Sequence, residues 1–351
     1  MTICLGIEST AHTFGIGIVD EKGKALANER DIYRPPAGWG IHPTEAAKHH
    51  EQVARKVYEA AMAKAGLTLA DIDFVAWSQA PGLSPCLHKG LNFALSITKK
   101  SPSTGARSAK EIPLIGVNHC IAHVEIGRLT SGLTDPITLY TSGANTQVLG
   151  FVPGFGRGSG RQFGRYRCFG ETMDVGIGNA LDKFGRSAGL DFPAGPKIEE
   201  LAKLGKYIEL PYVVKGMDLS FSGIVTDAMQ KLKDKKASLN DICFSLQETM
   251  FAMLAEVTER ALAHTGKDEC LLTGGVAANK RLAQMLEIMC RERGAKFYCV
   301  PREFAGDNAA MIGWTGILMQ RAGMKTKDEI LPRQRTDDVD VKWMDLRFSV
   351  Q

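Results

Sequence analysis

The strongest constraint on this chain is a pattern it uses twice. ICLGIE (Ile3–Glu8) is apolar, residues 9–13 (STAHT) are small and polar, and residues 14–20 (FGIGIVD) are apolar again. Near residue 135 the pattern restarts: residues 137–152 (ITLYTSGANTQVLGFV) read as strand, small polar turn, strand. After the first hairpin, ALANER reads as a third strand and residues 43–62 as a helix that Pro43 opens, with Glu45 in its first turn. Residues 72–78 read as a strand ending in the turn QAPGLSP, 89–99 as a helix, and 113–118 as a strand running into the helix HCIAHVEIGRL. In the second half, residues 269–279 pass from strand through a glycine turn into the helix KRLAQMLEIMCRER. Residues 296–301 read as a strand, 306–319 as a helix, and the chain from Lys325 as a charged, irregular tail. Two units, each a hairpin followed by alternating helices and strands, imply mixed sheets with helices on both faces. Two such halves leave a cleft between them, where ligands prefer to bind. A length of 351 residues suits two domains.

Composition removes other classes. With 44% hydrophobic and 23% charged residues the chain is neither disordered nor fibrous, and its 37 glycines follow no triplet period and suit turns. No apolar run reaches the roughly 18 residues of a membrane helix, and MTICLGIESTAH lacks the pattern of a secretion signal, so a cytosolic protein without a membrane partner is expected. None of the eight cysteines forms a C-x-x-C pair, which argues against a zinc ribbon or a redox motif. A net charge of +4 permits a nucleic-acid partner without demanding one.

Several elements carry chemistry. Short hydroxyl residues and glycine at the two hairpin turns, 9–13 and 142–146, and at Gly274-Gly275 can leave backbone N–H groups free for phosphate. His119 and His123 are four apart, so on a helix both imidazoles can reach one metal ion. Residue 120 is Cys, which removes the glutamate base of an H-E-x-x-H peptidase. Asp307, at a helix start, is the natural carboxylate to complete a two-His-one-carboxylate set suited to Fe(II) or Zn. His49 and His50 are adjacent, point about 100° apart on a helix and cannot chelate together, so a structural or surface-lining role is expected. Residues 154–167 interleave Arg157, Arg161, Arg165 and Arg167 with Phe155, Phe163 and Tyr166, a pattern suited to RNA or to a solvated loop. Lys99, Lys100, Arg107 and Lys110 form a second basic stretch.

The strings GIESTAHTFGIGIVD, GIHPTEAAKHH, APGLSP, GVNHCIAHVEIG, YTSGANTQV, GETMDVGIGNALDKFGRSAGLDFPAGPK, KGMDLSFSGI, LLTGGVAANKRL, FAGDNAAMIGW and QRTDDVDVKW run in order over nearly the whole chain. They resemble the universal tRNA threonylcarbamoyladenosine synthase family, long labelled O-sialoglycoprotein endopeptidase. His12, where bacterial members usually carry Asp, and YTSGANT point to its archaeal and eukaryotic branch, which works inside the KEOPS complex. The resemblance implies an α/β fold of two ribonuclease-H-like domains of the actin/Hsp70/hexokinase (ASKHA) type around a nucleotide-binding cleft. The domains expected are 1–130 and 131–325, with a tail over 326–351. It implies one divalent metal ion, Fe(II) with Zn(II) as the other candidate, held by His119, His123 and Asp307 with Tyr140 beside it. It implies ATP or threonylcarbamoyl-AMP bound by Tyr140, Thr141, Ser142, Gly143, Ala144, Asp182, Gly195, Glu199 and Asn279.

The implied reaction moves the threonylcarbamoyl group onto the exocyclic amine of the adenosine 3′ of the anticodon, in tRNAs reading codons that start with A. The implied partners are tRNA and the other KEOPS subunits, a small kinase/ATPase and small accessory subunits, in the cytoplasm or also the nucleus of a eukaryote. No catalytic residue is singled out, although Glu8 and His12 at the first turn are candidates to assist proton transfer. The chain departs from the family at Ala80, where Gly is usual, at Thr44, where Arg is common, and in longer loops near 101–111 and 154–164. The rival readings are an ATPase or kinase of the same fold, a metallopeptidase, and a nucleotide-gated tRNA-binding subunit without transferase activity.

Overall fold

The structure is a computed structural model, described for residues 1–36, 38–98, 112–154 and 163–344. The opening hairpin forms as the alternation dictates, with β1 (Ile3–Glu8), β2 (Thr13–Asp20) and β3 (Ala25–Ile32) in an antiparallel meander. Helix α1 (Pro43–Ala65) begins at its proline and ends at Gly66 in the left-handed conformation that glycine adopts without strain. Strand β4 (Phe74–Ala80), helix α2 (Ser84–Thr98), strand β5 (Leu114–Asn118) and helix α3 (His119–Ser131) follow. Helix α2 starts five residues earlier than the sequence reading, because Pro85 is compatible with a first helical turn.

The second half repeats the plan. Strands β6 (Ile137–Thr141), β7 (Thr146–Val152) and β8 (Arg165–Glu171) form a second meander. Then come α4 (Ile177–Ser187), α5 (Gly195–Ala202), the short pair β9 (Val214–Lys215) and β10 (Asp218–Leu219), α6 (Ser222–Lys233) and α7 (Leu239–Thr265). Strand β11 (Glu269–Thr273), α8 (Lys280–Arg293), β12 (Lys296–Cys299), the single turn α9 (Arg302–Ala305) and α10 (Ala309–Arg321) complete it. The first sheet runs β3-β2-β1-β4-β5 and the second β8-β7-β6-β11-β12. In each, the last two strands join the meander in parallel. The two units read from the hairpins are thus the same topology twice, the ASKHA arrangement. No helix among the described residues is long and apolar enough to cross a membrane.

Alternation along the strands builds the layers. Leu5, Ile7, Ile16 and Ile18 face α1 and α2 on one side of the first sheet. The other side packs with α3 and α10 into a core that also takes Tyr140, Leu149 and Tyr166 from the second sheet. The opposite face of the second sheet carries Leu139 and Val148 toward α4, α6, α7 and α8. Helices α3 and α10 are therefore a shared middle layer between the two sheets. Helix α10 lies in the sequence interval expected for the second domain, yet it packs on the first sheet.

Glycine makes that packing possible. Gly6 and Gly17 are register partners on the face toward α10, and a Cβ there would lie 2.2 Å from the Ala309 carbonyl oxygen and 2.4 Å from the Ala310 nitrogen. The repeated Gly-Ile of FGIGIVD thus serves close approach of a helix rather than a turn.

The segment from Lys325 is irregular, as read, but it is a strap rather than a loose tail. Gln79 donates its side-chain amide to the carbonyls of Lys327 and Glu329, Thr326 accepts the Gly116 N–H, and Asn118 donates to Gln334. On the second sheet Thr336 donates to Gln147, and Arg335 pairs with Glu171. The strap ends at Trp343, whose indole N–H donates to buried Glu125 at 2.8 Å beside the Tyr166 hydroxyl at 2.6 Å. Arg165 lies on β8 and pairs with Asp340 of the strap at 2.7 Å, so it is a tie and not a free RNA contact. Arg167 is also on β8, while Arg157, Arg161, Phe155, Lys99, Lys100, Arg107 and Lys110 lie outside the described residues.

A methyl group on the glycine face has nowhere to go. Gly17→Ala is expected to cost about 3 kcal/mol in urea unfolding. Gly223→Ala, where the added carbon meets no atom within 4 Å, is expected to unfold like the wild type. Equal midpoints for wild type and Gly17→Ala would contradict this packing.

Candidate metal centre and cleft

Strand β5 runs straight into α3, and Asn118 caps the helix by accepting the N–H groups of Cys120 and Ile121. This fixes His119 in the first turn and His123 one turn on. Their rings lie 4.8 Å apart and nearly perpendicular. Asp307 arrives from the loop before α10, with Oδ1 3.5 Å from His119 Nε2 and 3.6 Å from His123 Nε2. One ligand atom from each of the three lies within 4.8 Å of the others. The Tyr140 ring at the end of β6 sits 5.0 Å from that of His123. The sequence spacing and the glycine-packed helix thus bring four expected residues to one place.

Electrostatics sharpen the arrangement. Burial penalises the His119 imidazolium, but Glu8 and Asp307 outweigh it and hold the ring's pKa well above its ordinary value. Burial pushes His123 the other way, below the ordinary value. Burial alone would raise Asp307, yet the two imidazoles beside it hold it well below the usual carboxylate range. Burial keeps the Tyr140 phenol protonated.

Glu8 is the residue whose role the sequence reading missed. It is fully buried at the end of β1; Oε2 is 2.9 Å from His119 Nδ1, and Oε1 accepts both the N–H and the hydroxyl of Thr10. A carboxylate so engaged orients His119 with Nε2 toward Asp307 and is not a free proton acceptor. It also uses up the Thr10 N–H, while Ser78 accepts the N–H of Ser9. The first two N–H groups of this turn are therefore satisfied within the protein. The only sequence signal was an acidic residue ending an apolar strand.

The residues present fit a metal ion. Among the described residues, both ring nitrogens of His123 and the Tyr140 hydroxyl are buried with no hydrogen-bond partner within 3.5 Å, a costly state in a core and a natural one beside a cation. Two imidazoles and one carboxylate suit Fe(II) or Zn. His12 adds a third ring at the opening, with Nδ1 3.9 Å from Asp307 Oδ2. Arg30 of β3 donates to the Asp307 carbonyl at 2.8 Å and holds the loop in place. His50 is buried on α1 against Phe14, and His49 pairs with Asp31, so that histidine pair is structural as expected.

The remaining expected residues line the second lobe. Thr141 donates to the Thr273 carbonyl, and Gly274, at φ +97°, packs against Thr141 so closely that a Cβ would lie 2.2 Å from its oxygen. Ser142 and Asn145 close the second turn on each other, and its tip, Gly143 and Ala144, is exposed. Helix α4 docks under this turn through the Gly178 and Asn179 N–H groups. Its Asp182 accepts the Ala194 N–H at 2.7 Å, and burial raises its pKa. Gly195 opens α5 and faces open space, with Glu199 one turn along accepting the Lys280 N–H at 2.9 Å. Asn279 caps α8 with its oxygen and donates its amide to Gln247. These residues form two neighbouring groups, joined by α5.

Comparison with known proteins places the chain in a family. Residues 24–314 match the family model TsaD, tRNA N6-adenosine threonylcarbamoyltransferase. Proteins of that name from Thermococcus kodakarensis and Archaeoglobus fulgidus are 51% and 52% identical to this chain, each over 97% of it and 99% of the relative. A probable bifunctional tRNA threonylcarbamoyladenosine biosynthesis protein from Methanosarcina acetivorans is 51% identical over 98% of this chain, which spans 60% of that protein. Among solved structures, HypF from T. kodakarensis aligns over 94% of this chain and 49% of its own, with TM-score 0.57 and 15% identity. Component A of the Acidaminococcus fermentans (R)-2-hydroxyglutaryl-CoA dehydratase aligns over 92% of this chain and 100% of its own, with TM-score 0.54 and 13% identity. These two likenesses are of fold.

The Glu8–His119 contact is testable. Glu8→Gln is expected to weaken Fe(II) or Zn(II) binding by about 10–100-fold in a chelator-competition titration. An unchanged affinity would mean that Glu8 does not orient the ligand.

Proposed function

The chain belongs to the tRNA N6-adenosine threonylcarbamoyltransferase family, and on that premise we propose that it transfers the threonylcarbamoyl group from threonylcarbamoyl-AMP to tRNA. The acceptor is the exocyclic amine of the adenosine 3′ of the anticodon, in tRNAs reading codons that start with A. The observation that carries this reading is the convergence of His119, His123 and Asp307 under Tyr140, facing a glycine-lined second lobe. A sugar kinase holds Mg²⁺ largely through phosphates and waters, so a pair of buried imidazoles favours the transferase over the ATPase or kinase. A peptidase is disfavoured because residue 120 is Cys and Glu8 is committed to His119.

In the reaction, the adenine amine attacks the carbamoyl carbon, a new N–C bond forms, the bond from that carbon to the phosphate oxygen breaks, and AMP leaves with the electron pair. The amine gives up one proton. It is a weak nucleophile, so positioning and charge stabilisation supply most of the acceleration. His119, His123 and Asp307 would hold one divalent ion, with Tyr140 beside it. When bound, that ion supplies Lewis acidity and a template for the substrate's oxygens. The exposed tip Gly143–Ala144 offers backbone N–H groups to the phosphate. Gly195, facing open space, lets the nucleotide approach the backbone, and Asp182, Glu199 and Asn279 border the ribose and base. Fe(II) is the ion we favour, and ATP is a second ligand of the same cleft. The name of the bifunctional M. acetivorans relative supports a second component working with this chain, in line with a KEOPS assembly containing a small kinase/ATPase.

The test supplies the protein and its assembly partners with tRNA, threonine, bicarbonate, ATP and an enzyme that makes threonylcarbamoyl-AMP. The tRNA is then digested and its nucleosides are read by mass spectrometry. The expected outcome is the modified nucleoside with the wild type and a loss of at least 100-fold with the His119→Ala/His123→Ala variant. ATP turnover with no modified nucleoside from the wild type would overturn the transferase reading.

A further inference from the structure

The two lobes touch at the mouth of the cleft through a pair of rings. His12, in the first hairpin turn, meets Phe192, in the segment between α4 and α5, edge to face with centroids 6.1 Å apart and planes at 82°. Both are partly exposed. His12 also lies next to the metal ligands, 3.9 Å from Asp307. The ring pair thus lies directly beside the His119–His123–Asp307 cluster.

Helix α4 anchors this mouth. Asp182 holds the Ala194 N–H at 2.7 Å and so fixes the backbone two residues beyond Phe192. One turn further on, the Arg186 guanidinium lies 3.9 Å from where a Cβ on Gly40 would sit, so the loop carrying Trp39 leans on the same helix from the other lobe. Trp39 is 68% exposed, and on α4 both Lys183 and Arg186 are exposed. Aromatic faces interleaved with cations suit a single-stranded RNA loop whose bases are unstacked.

Building on the transfer to tRNA proposed above, we infer that Phe192 and His12 form the slot that receives the acceptor adenine. The acceptor lies in a single-stranded loop, stacked on its neighbours, and its amine must reach the buried centre. A base entering between the rings replaces their edge-to-face contact with stacking on the Phe192 face, which offsets the stacking it leaves. The slot then directs the amine edge past His12 toward His119, His123 and Asp307. Phe192 is in this reading a binding residue for the acceptor and not for the nucleotide.

The test is a binding cycle on the full chain with its partners. The RNA probes are an anticodon stem–loop and the same RNA lacking only the acceptor base. Wild type is expected to bind the intact RNA about 5–100-fold tighter than the abasic RNA. Phe192→Leu is expected to abolish that preference and Phe192→Tyr to retain it, while both variants bind ATP within twofold of wild type. A preference left intact in Phe192→Leu overturns the slot, and so does loss of ATP binding in that variant with the RNA preference kept. Modified nucleoside formed by the wild type together with either result would sink this inference alone. No modified nucleoside from the wild type would sink the transferase reading beneath it.

Discussion

The structure depends on one contact, the seating of α10 on the glycine face of β1 and β2. Gly6 and Gly17 remove the side chains that would otherwise hold the helix off the sheet. At backbone distance, the start of α10 reaches the edge where β5 becomes α3, and Asp307 meets two histidines fixed by the Asn118 cap. A helix pushed outward by one side-chain layer would carry Asp307 out of reach of both imidazoles. The cluster of His119, His123 and Asp307 is thus a consequence of packing between distant stretches of chain and not of a local loop.

The rest of the molecule holds that geometry. Arg30 grips the Asp307 carbonyl, and Asn28, two residues away on β3, accepts the Ala310 N–H. Glu8 fixes His119 from below. The strap then ties both sheets together behind the site, through Gln79 and Asn118 on one and Gln147 and Glu171 on the other. Such a layout, with α3 and α10 held between the two sheets, suits a reaction that depends on positioning.

Much of this could be read from residues. The duplicated hairpins give the duplicated sheets, because alternation of apolar residues sets both strand and face. The four-residue spacing of His119 and His123 gives the ligand pair, and the strand-to-helix junction gives its orientation. What stayed hidden depended on contacts between distant positions. Glu8 shows nothing in its local sequence of its hold on His119, 111 residues away. The segment after Lys325 has no periodicity, so nothing in it announces that its backbone, Arg335 and Asp340 are bonded across the molecule. The glycines of FGIGIVD read only as part of an apolar strand until the helix that lies on them is known. Arg165 looked available to RNA and is paired with Asp340.

The most direct measurement of the central claim is where a metal ion sits. Crystals of the protein loaded with Fe(II) or Zn(II), with anomalous diffraction recorded at the metal's absorption edge, locate it without reference to activity. The expected result is a single strong peak bonded by His119 Nε2, His123 Nε2 and an Asp307 oxygen, under the Tyr140 ring. A peak elsewhere, or none at that position in a folded, metal-saturated protein, would contradict it.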